Sequence, residues 1–186
     1  FFVEGSSIFQ TGDYNLFYSR RIGRRPRYYA LPEGAVARDR PEATTILGAV
    51  KFTGKTEGKT AFGLLQAVTA SERADISRAL DGEVVGDQYR VEPLTNYLVG
   101  RVRQDVLDGT SGIGFYASSV NRRDGHSAYV GAADWDLKFR EDTYNITGML
   151  AASRAGSAAD RKSGYIAHLE LDKRGGFWET ETGLAA

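Results

Sequence analysis

The stretch Val91–Val120, VEPLTNYLVGRVRQDVLDGTSGIGFYASSV, decides how the rest of the chain is read. Two alternating runs, Leu94–Val106 and Ser111–Val120, flank Leu107-Asp108-Gly109-Thr110. Asp-Gly between alternating runs is a strong hairpin signal, because both residues tolerate the positive φ of a tight turn. Each run is longer than the ~5–6 residues of an ordinary globular strand. A strand of ~10 residues rises ~33 Å, enough to cross a bilayer core when tilted. The rest of the chain repeats this unit. The expected fold is all-β, an antiparallel up-and-down meander of long strands forming an open part of an outer-membrane-type β-barrel.

Working outward, Thr45–Lys55 and Thr60–Ala70 read as a second hairpin around Gly58, and Ala128–Phe139 and Thr143–Arg154 as a third around Glu141. Gly164–Asp172 and a run opening at Phe177 read as a fourth, turning near Gly175. Phe1–Asp13 is a turn-rich lead-in, with room for a short strand at its start, and Leu16–Ile22 is a candidate strand. Gly23–Ala43 carries three of the four prolines and reads as a long loop, since proline removes ladder donors. Ser71–Arg90 reads as another loop, with Ile76 and Leu80 spaced for a helical turn. Asn121–Ser127 and Ala155–Ser163 are the remaining loops. The count is nine strands, with short turns at one end and longer loops at the other. Outer-membrane barrels show that asymmetry, but with even strand numbers in single bacterial chains. The odd count, and a chain that opens on Phe1 and closes within a strand, lead us to expect a longer barrel.

The strand faces carry the membrane argument. In Ala128–Phe139 one face holds Tyr129, Gly131, Ala133, Trp135, Leu137 and Phe139, and the other Asp134, Asp136 and Lys138. Side chains alternate in a strand, so the first face suits lipid and the second a wet lumen. In the founding hairpin the position of Arg101 and Arg103 decides, because arginine facing lipid at mid-membrane costs about 2–4 kcal/mol. Arg101, Arg103, Asp134, Asp136 and Lys138 are therefore all expected on the concave, ligand-facing side. Thr60–Ala70 is apolar on both faces, and only Gln66 suggests an inward side.

Composition narrows the function classes. The 24 basic and 24 acidic residues balance, which disfavours a nucleic-acid binder needing a net basic surface. There is no cysteine, hence no disulfide framework or thiolate metal site. His126 and His168 stand far apart, without a partner at metal spacing. No metal or other cofactor is expected. Asp134 and Asp136 lie about 7 Å apart along one strand face, a separation two catalytic carboxylates can use. A charge ladder with Lys138, Arg101 or Arg103 is the plainer reading of the same two residues. Arg20, Arg21, Arg24, Arg25 and Arg27 form a dense basic run, suited to anionic lipid heads or a phosphate-bearing sugar, or to a solvated loop balanced by nearby acids.

Three runs, FFVEGSSIFQ (Phe1–Gln10), LFYSRRIGR (Leu16–Arg24) and VEPLTNYLVGRVRQD (Val91–Asp105), resemble an uncharacterised bacterial family. They are similar to the C-terminal membrane β-barrel region that follows a carbohydrate-binding, family-9-like domain in proteins often labelled membrane-associated hydrolases. The resemblance covers most of Phe1–Asn121 and transfers no catalytic residues. It implies a glycan-binding-like domain before this chain, on the periplasmic side, and further strands after it. The expected location is the outer membrane of a Gram-negative bacterium. The expected partners are membrane lipid and a glycan- or peptide-like ligand, bound or passed. The alternative is a membrane-embedded hydrolase using lumen carboxylates. A soluble all-β binding module is a third reading.

Overall fold

A computed structural model describes all residues except 1–5, 12–13, 28–30, 81–82, 124–125, 175–179 and 186. Among the described residues the chain forms eleven strands: β1 Val36–Asp39, β2 Ile46–Lys55, β3 Thr60–Thr69, β4 Glu72–Leu80, β5 Glu83–Glu92, β6 Thr95–Val106, β7 Ser111–Arg122, β8 Ser127–Phe139, β9 Tyr144–Gly156, β10 Arg161–Lys173 and β11 Thr180–Ala185. All pairings are antiparallel. Eight strands form one sheet in the order β11-β10-β9-β8-β7-β6-β3-β2, and β1, β4 and β5 form a small second sheet. The large sheet is open, with β2 and β11 as its edges.

The founding hairpin is β6–β7, aligned from Thr95↔Arg122 to Val106↔Ser111. Leu107, Asp108 and Gly109 all adopt positive φ at its turn, and Thr110 N–H donates to the Leu107 carbonyl at 3.3 Å. Left-handed residues at a short turn match the right-handed twist of the paired strands. The β8–β9 turn does the same with Arg140, Glu141 and Asp142. The hairpins expected around Gly58 and Glu141 are also present, as β2–β3 and β8–β9. The β10–β11 pair is formed, while the turn expected near Gly175 and the strand start at Phe177 lie outside the described residues.

Four expectations need correction. Leu16–Ile22 is not a strand; it is extended coil running into a 3-10 turn at Ser19–Arg21. Its apolar residues cover the sheet instead of joining its edge. Gly23–Ala43 is not all loop, since it contains β1. Ser71–Arg90 holds most of the β4–β5 hairpin and, among the described residues, no helical turn, so the described strands number eleven rather than nine. The Ile76–Leu80 spacing that suggested helix arises from a strand in which Ala74 and Ile76 are buried two apart. The short strand expected at the start of the chain falls on residues 1–5, outside the described residues; Ser6–Phe9 is a 3-10 turn.

The β4–β5 excursion leaves the main meander intact. β3 pairs directly with β6 from Thr60↔Gln104 to Thr69↔Thr95, so the insertion leaves and re-enters at one end of an aligned ladder. That end also holds the connections β7–β8 and β9–β10. The short turns β2–β3, β6–β7 and β8–β9 share the opposite end.

Register places residues of all eight strands on two faces. On one lie Leu65, Ala67, Tyr97, Val99, Arg101, Arg103, Tyr116, Ala132, Asp134, Asp136, Lys138 and Met149. The N-terminal segment packs over this face. Phe9 and Ile22 join Leu65, Ala67, Tyr97, Val99 and Tyr116 in one buried cluster, flanked by Ile8, Leu16 and Phe17. Gly63 makes this possible: a Cβ there would meet Ile8 Cγ2 at 2.8 Å and the Phe9 ring at 3.0 Å. The faces of β3 are thereby settled. Leu65 lies inward at 0 % exposure and Gln66 lies outward, opposite to the direction its polarity suggested. Small residues, not polar ones, mark the covered side of β3, because the covering segment needs room.

The other face is bare. Phe115 is 62 % exposed, Leu150 53 % and Tyr165 77 %, and Val50, Phe52, Leu64, Leu98 and Val102 are exposed with them. Among the described residues, charged residues on this face of the large sheet occur only near strand ends, at Arg154, Arg161 and Lys173. Phe52 and Phe62 pack together there with ring centroids 5.6 Å apart.

If the β3–β6 ladder is self-sufficient, replacing residues 73–90 with a short Gly-Asn linker should leave the large sheet folded. Amide exchange at Leu65 and Val99 is expected to stay slow, and loss of that protection would show that the small sheet is structurally required.

Candidate functional site

The covered face holds two polar features at different heights. The first, nearer the short turns, is an ion cluster centred on Arg101. Arg101 is 2 % exposed and Asp134 5 %. The guanidinium donates from both terminal nitrogens, Nη1 to Asp134 Oδ1 and Nη2 to Asp134 Oδ2, the latter at 2.7 Å. A fork-to-fork pair of this kind fixes geometry as well as charge. Arg103 Nη1 adds a longer contact to Asp134 Oδ2 at 3.8 Å.

These residues sit on strands that are not neighbours, since β7 lies between β6 and β8. Glycine resolves the problem. Gly114 is the register partner of both Arg103 and Asp134, and a Cβ there would lie 2.6 Å from Arg101 Nη2. A Cβ at Gly112 would collide with the Arg103 guanidinium. Both arginines therefore cross β7 over bare backbone to reach the carboxylate. Isolated glycine inside a strand often marks such a close approach. The alternating Gly112-Ile113-Gly114 was thus a readable signal, missed because it sits in the strand facing the arginines.

Asp136 lies on the same face, half-buried, with Oδ1 enclosed and lacking a hydrogen-bond partner among the described residues. Lys138 is half-buried further along β8, its backbone N–H donating to Ser111 Oγ at 2.8 Å. The five residues expected on one side therefore share it. The two aspartates differ in kind, however. Asp134 is engaged at both oxygens, whereas Asp136 is not.

The second feature is a cavity of about 730 Å³ at the opposite end, enclosed between the sheet and the N-terminal segment. Its floor includes Tyr97, Val99, Tyr116, Val120 and Val130. Its rim carries Arg21, Arg24, Arg27, Arg122 and Lys162, with Asp160 as the carboxylate among them. Of the basic run read from sequence, Arg21, Arg24 and Arg27 line the cavity, while Arg20 and Arg25 are exposed and do not. Arg122 and Lys162 come from β7 and β10, distant in sequence and joined only by the sheet.

Glu92, 2 % exposed, anchors the rim. Its carboxylate accepts from Arg24 Nη2 at 3.4 Å and from the Arg27 backbone N–H at 3.0 Å. Thr44 fixes the same strap, donating from Oγ1 to the Arg24 carbonyl at 2.7 Å. Further down, Thr11 Oγ1 donates to the Tyr14 carbonyl at 2.6 Å, and Tyr14 packs edge-on against His168 of β10 at 5.6 Å. The segment thus crosses the face from β3 to β10 before rising to the cavity. Nothing in its composition announced this, because a turn-rich lead-in reads as loose until the surface it covers is known.

The fold and these two features define a class: a single-sided antiparallel β-meander, apolar and bare on one face, charged and strapped on the other. Residues 1–185 match the model of a family described as a domain of unknown function, DUF5916, and the chain belongs to that family. No curated protein and no solved structure matches it.

Removing one partner of the buried pair leaves a stranded charge, at about 3–5 kcal/mol, whereas replacing both by apolar residues of similar volume is often near neutral. Arg101→Met alone should therefore lower the urea unfolding midpoint strongly, and Arg101→Met with Asp134→Leu should recover most of the loss. Gly114→Val should resemble the single change, because it displaces the guanidinium. Equal losses in the single and double variants would show that the pair is not the source of the effect.

Proposed function

We propose that this chain is part of the wall of a bacterial outer-membrane β-barrel, whose covered face binds or passes a glycan- or peptide-like ligand. The observation that carries the reading is the bare face: broad, apolar and free of charge away from the strand ends. A water-exposed apolar surface of this breadth is unusual for a soluble monomer and marks a contact surface. Its dimensions suit a bilayer. Tyr129 and Phe139 lie ten residues apart on the bare face of β8, about 33 Å along the strand. At the strand tilt of about 40° usual in barrels, that becomes a band of about 25 Å, the height of the apolar belt between aromatic girdles. Phe139 pairs with Tyr144 at one margin, and Tyr129 marks the other, with Tyr165 level with Gly131 two strands away.

On this reading the short turns are periplasmic, and the small sheet and cavity face outward. The carbohydrate-binding, family-9-like domain of the proteins that the chain resembles would precede it on the periplasmic side. The hydrolase alternative gains less from the site. Asp134 is engaged at both oxygens by Arg101, so Asp134 and Asp136 do not form a matched pair of working carboxylates. The charge-ladder reading accounts for Arg101, Arg103 and Asp134 together.

The chain has no cysteine, so single-cysteine labelling is unambiguous. A fluorophore at Phe115→Cys or Leu150→Cys should be quenched by brominated acyl chains after reconstitution, and one at Ala132→Cys should not. Phe115→Arg should destabilise the inserted state by about 2–4 kcal/mol. A monodisperse, folded monomer in water without detergent would overturn the membrane assignment.

A further inference from the structure

We infer that the cavity between the N-terminal segment and β6–β8 is a binding site for an anionic amphiphile: an apolar acyl or aryl body bearing one phosphate or carboxylate. The inference rests on the proposal that the covered face is the ligand side, and it assigns this cavity a ligand class other than the glycan or peptide of that proposal. Three observations support it. The volume, about 730 Å³, falls in the range of small-molecule sites. The floor is apolar and aromatic, with Tyr97, Val99, Tyr116 and Val130 facing inward, so it favours a body that sheds water. The rim is cationic, with Arg21, Arg122 and Lys162 joining Arg24, while Asp160 in the lining and Glu92 behind Arg24 offset only part of that charge.

Arg122 is the side chain through which head-group recognition is assigned. It projects from the end of β7 on the covered face, and its Nη1 donates to the His126 carbonyl at 2.9 Å. Its Nε is enclosed and has no partner among the described residues. A buried donor without an acceptor is costly, and a ligand oxygen is the natural acceptor at a cavity rim. Arginine suits that role because its planar fork can bind a phosphate or carboxylate through two hydrogen bonds. A neutral sugar would satisfy neither the charge of this rim nor the apolar floor.

The test is calorimetric titration of the full chain, folded in maltoside micelles, with 1-naphthyl phosphate. The comparison ligands are 1-naphthol, inorganic phosphate and glucose 6-phosphate. Saturable one-site binding is expected for 1-naphthyl phosphate, with each comparison ligand at least about tenfold weaker because it lacks the charge or the apolar body. Arg122→Gln should weaken binding about tenfold, as loss of one charge-assisted contact does. Val130→Trp should abolish it by filling the floor; if that chain fails to fold, Ala128→Leu replaces it. Equal binding of 1-naphthol would reduce the cavity to apolar partitioning, and equal binding of inorganic phosphate would reduce it to surface charge. Tighter binding of glucose 6-phosphate would reassign the ligand to phosphosugars. Any of these results overturns the inference, as does unchanged binding by both Arg122→Gln and the filled variant. The membrane proposal is scored separately by the brominated-lipid readout on the same preparation. Quenching without naphthyl phosphate binding defeats the cavity alone, and binding without quenching defeats the membrane assignment alone.

Discussion

Strand register is the constraint on which the rest of this structure depends. Seven ladders align eight strands so that Arg101, Arg103, Asp134 and Asp136 share one face while Val102, Phe115, Trp135 and Leu150 share the other. A slip of one residue in any ladder would exchange the faces of every side chain beyond it. Charges would move onto the apolar surface, and Arg101 would lose Asp134. The ion pair therefore contributes more specificity than net stability, since desolvation offsets much of its attraction. It couples β6 to β8 across β7, so three strands must be in register at once.

The N-terminal segment completes the design from the other side. A sheet with apolar residues on both faces of β3 and β6 needs cover on one of them. Phe9, Leu16, Phe17 and Ile22 provide it, and Gly63 and Ala67 keep the sheet surface low enough to receive them. The same segment that buries this core then lifts away near Glu92 and leaves the cavity beneath its arginines. Core and cavity are thus two stretches of one crossing. Ile22 is the last of these core residues, set among the basic Arg20-Arg21 and Arg24-Arg25.

The polar groups divide accordingly. Near the short turns the charges meet one another, with Asp134 held by Arg101 and with Lys55 and Asp105 bridged at 2.6 Å. Near the long connections basic side chains converge around space. Charges near the short turns pair with one another, whereas Arg24 pairs with Glu92 at the rim of a cavity that Arg21, Arg122 and Lys162 also line. The chemistry of this face is better sought at Arg122 than at the aspartates that stand out in the sequence.

By itself the sequence determined the strand class, the four expected hairpin pairs, three of them with turns among the described residues, and the sidedness of β8 and β9. Each follows from local rules: a period of two, turn residues that tolerate positive φ, and the cost of charge in an apolar medium. Tertiary structure decided everything that depends on what lies opposite. It made Leu16–Ile22 a strap instead of a strand, because an unpaired edge and an uncovered face compete for the same apolar residues. It made β4 and β5 strands, because the spacing Ile76–Leu80 is ambiguous until Ala74 and Ile76 find a surface to bury against. It turned Gln66 outward and brought Arg122 and Lys162 beside Arg24. Period and propensity are properties of neighbours along the chain, but cover, cavity and ion pair are properties of residues that only the folded sheet makes neighbours.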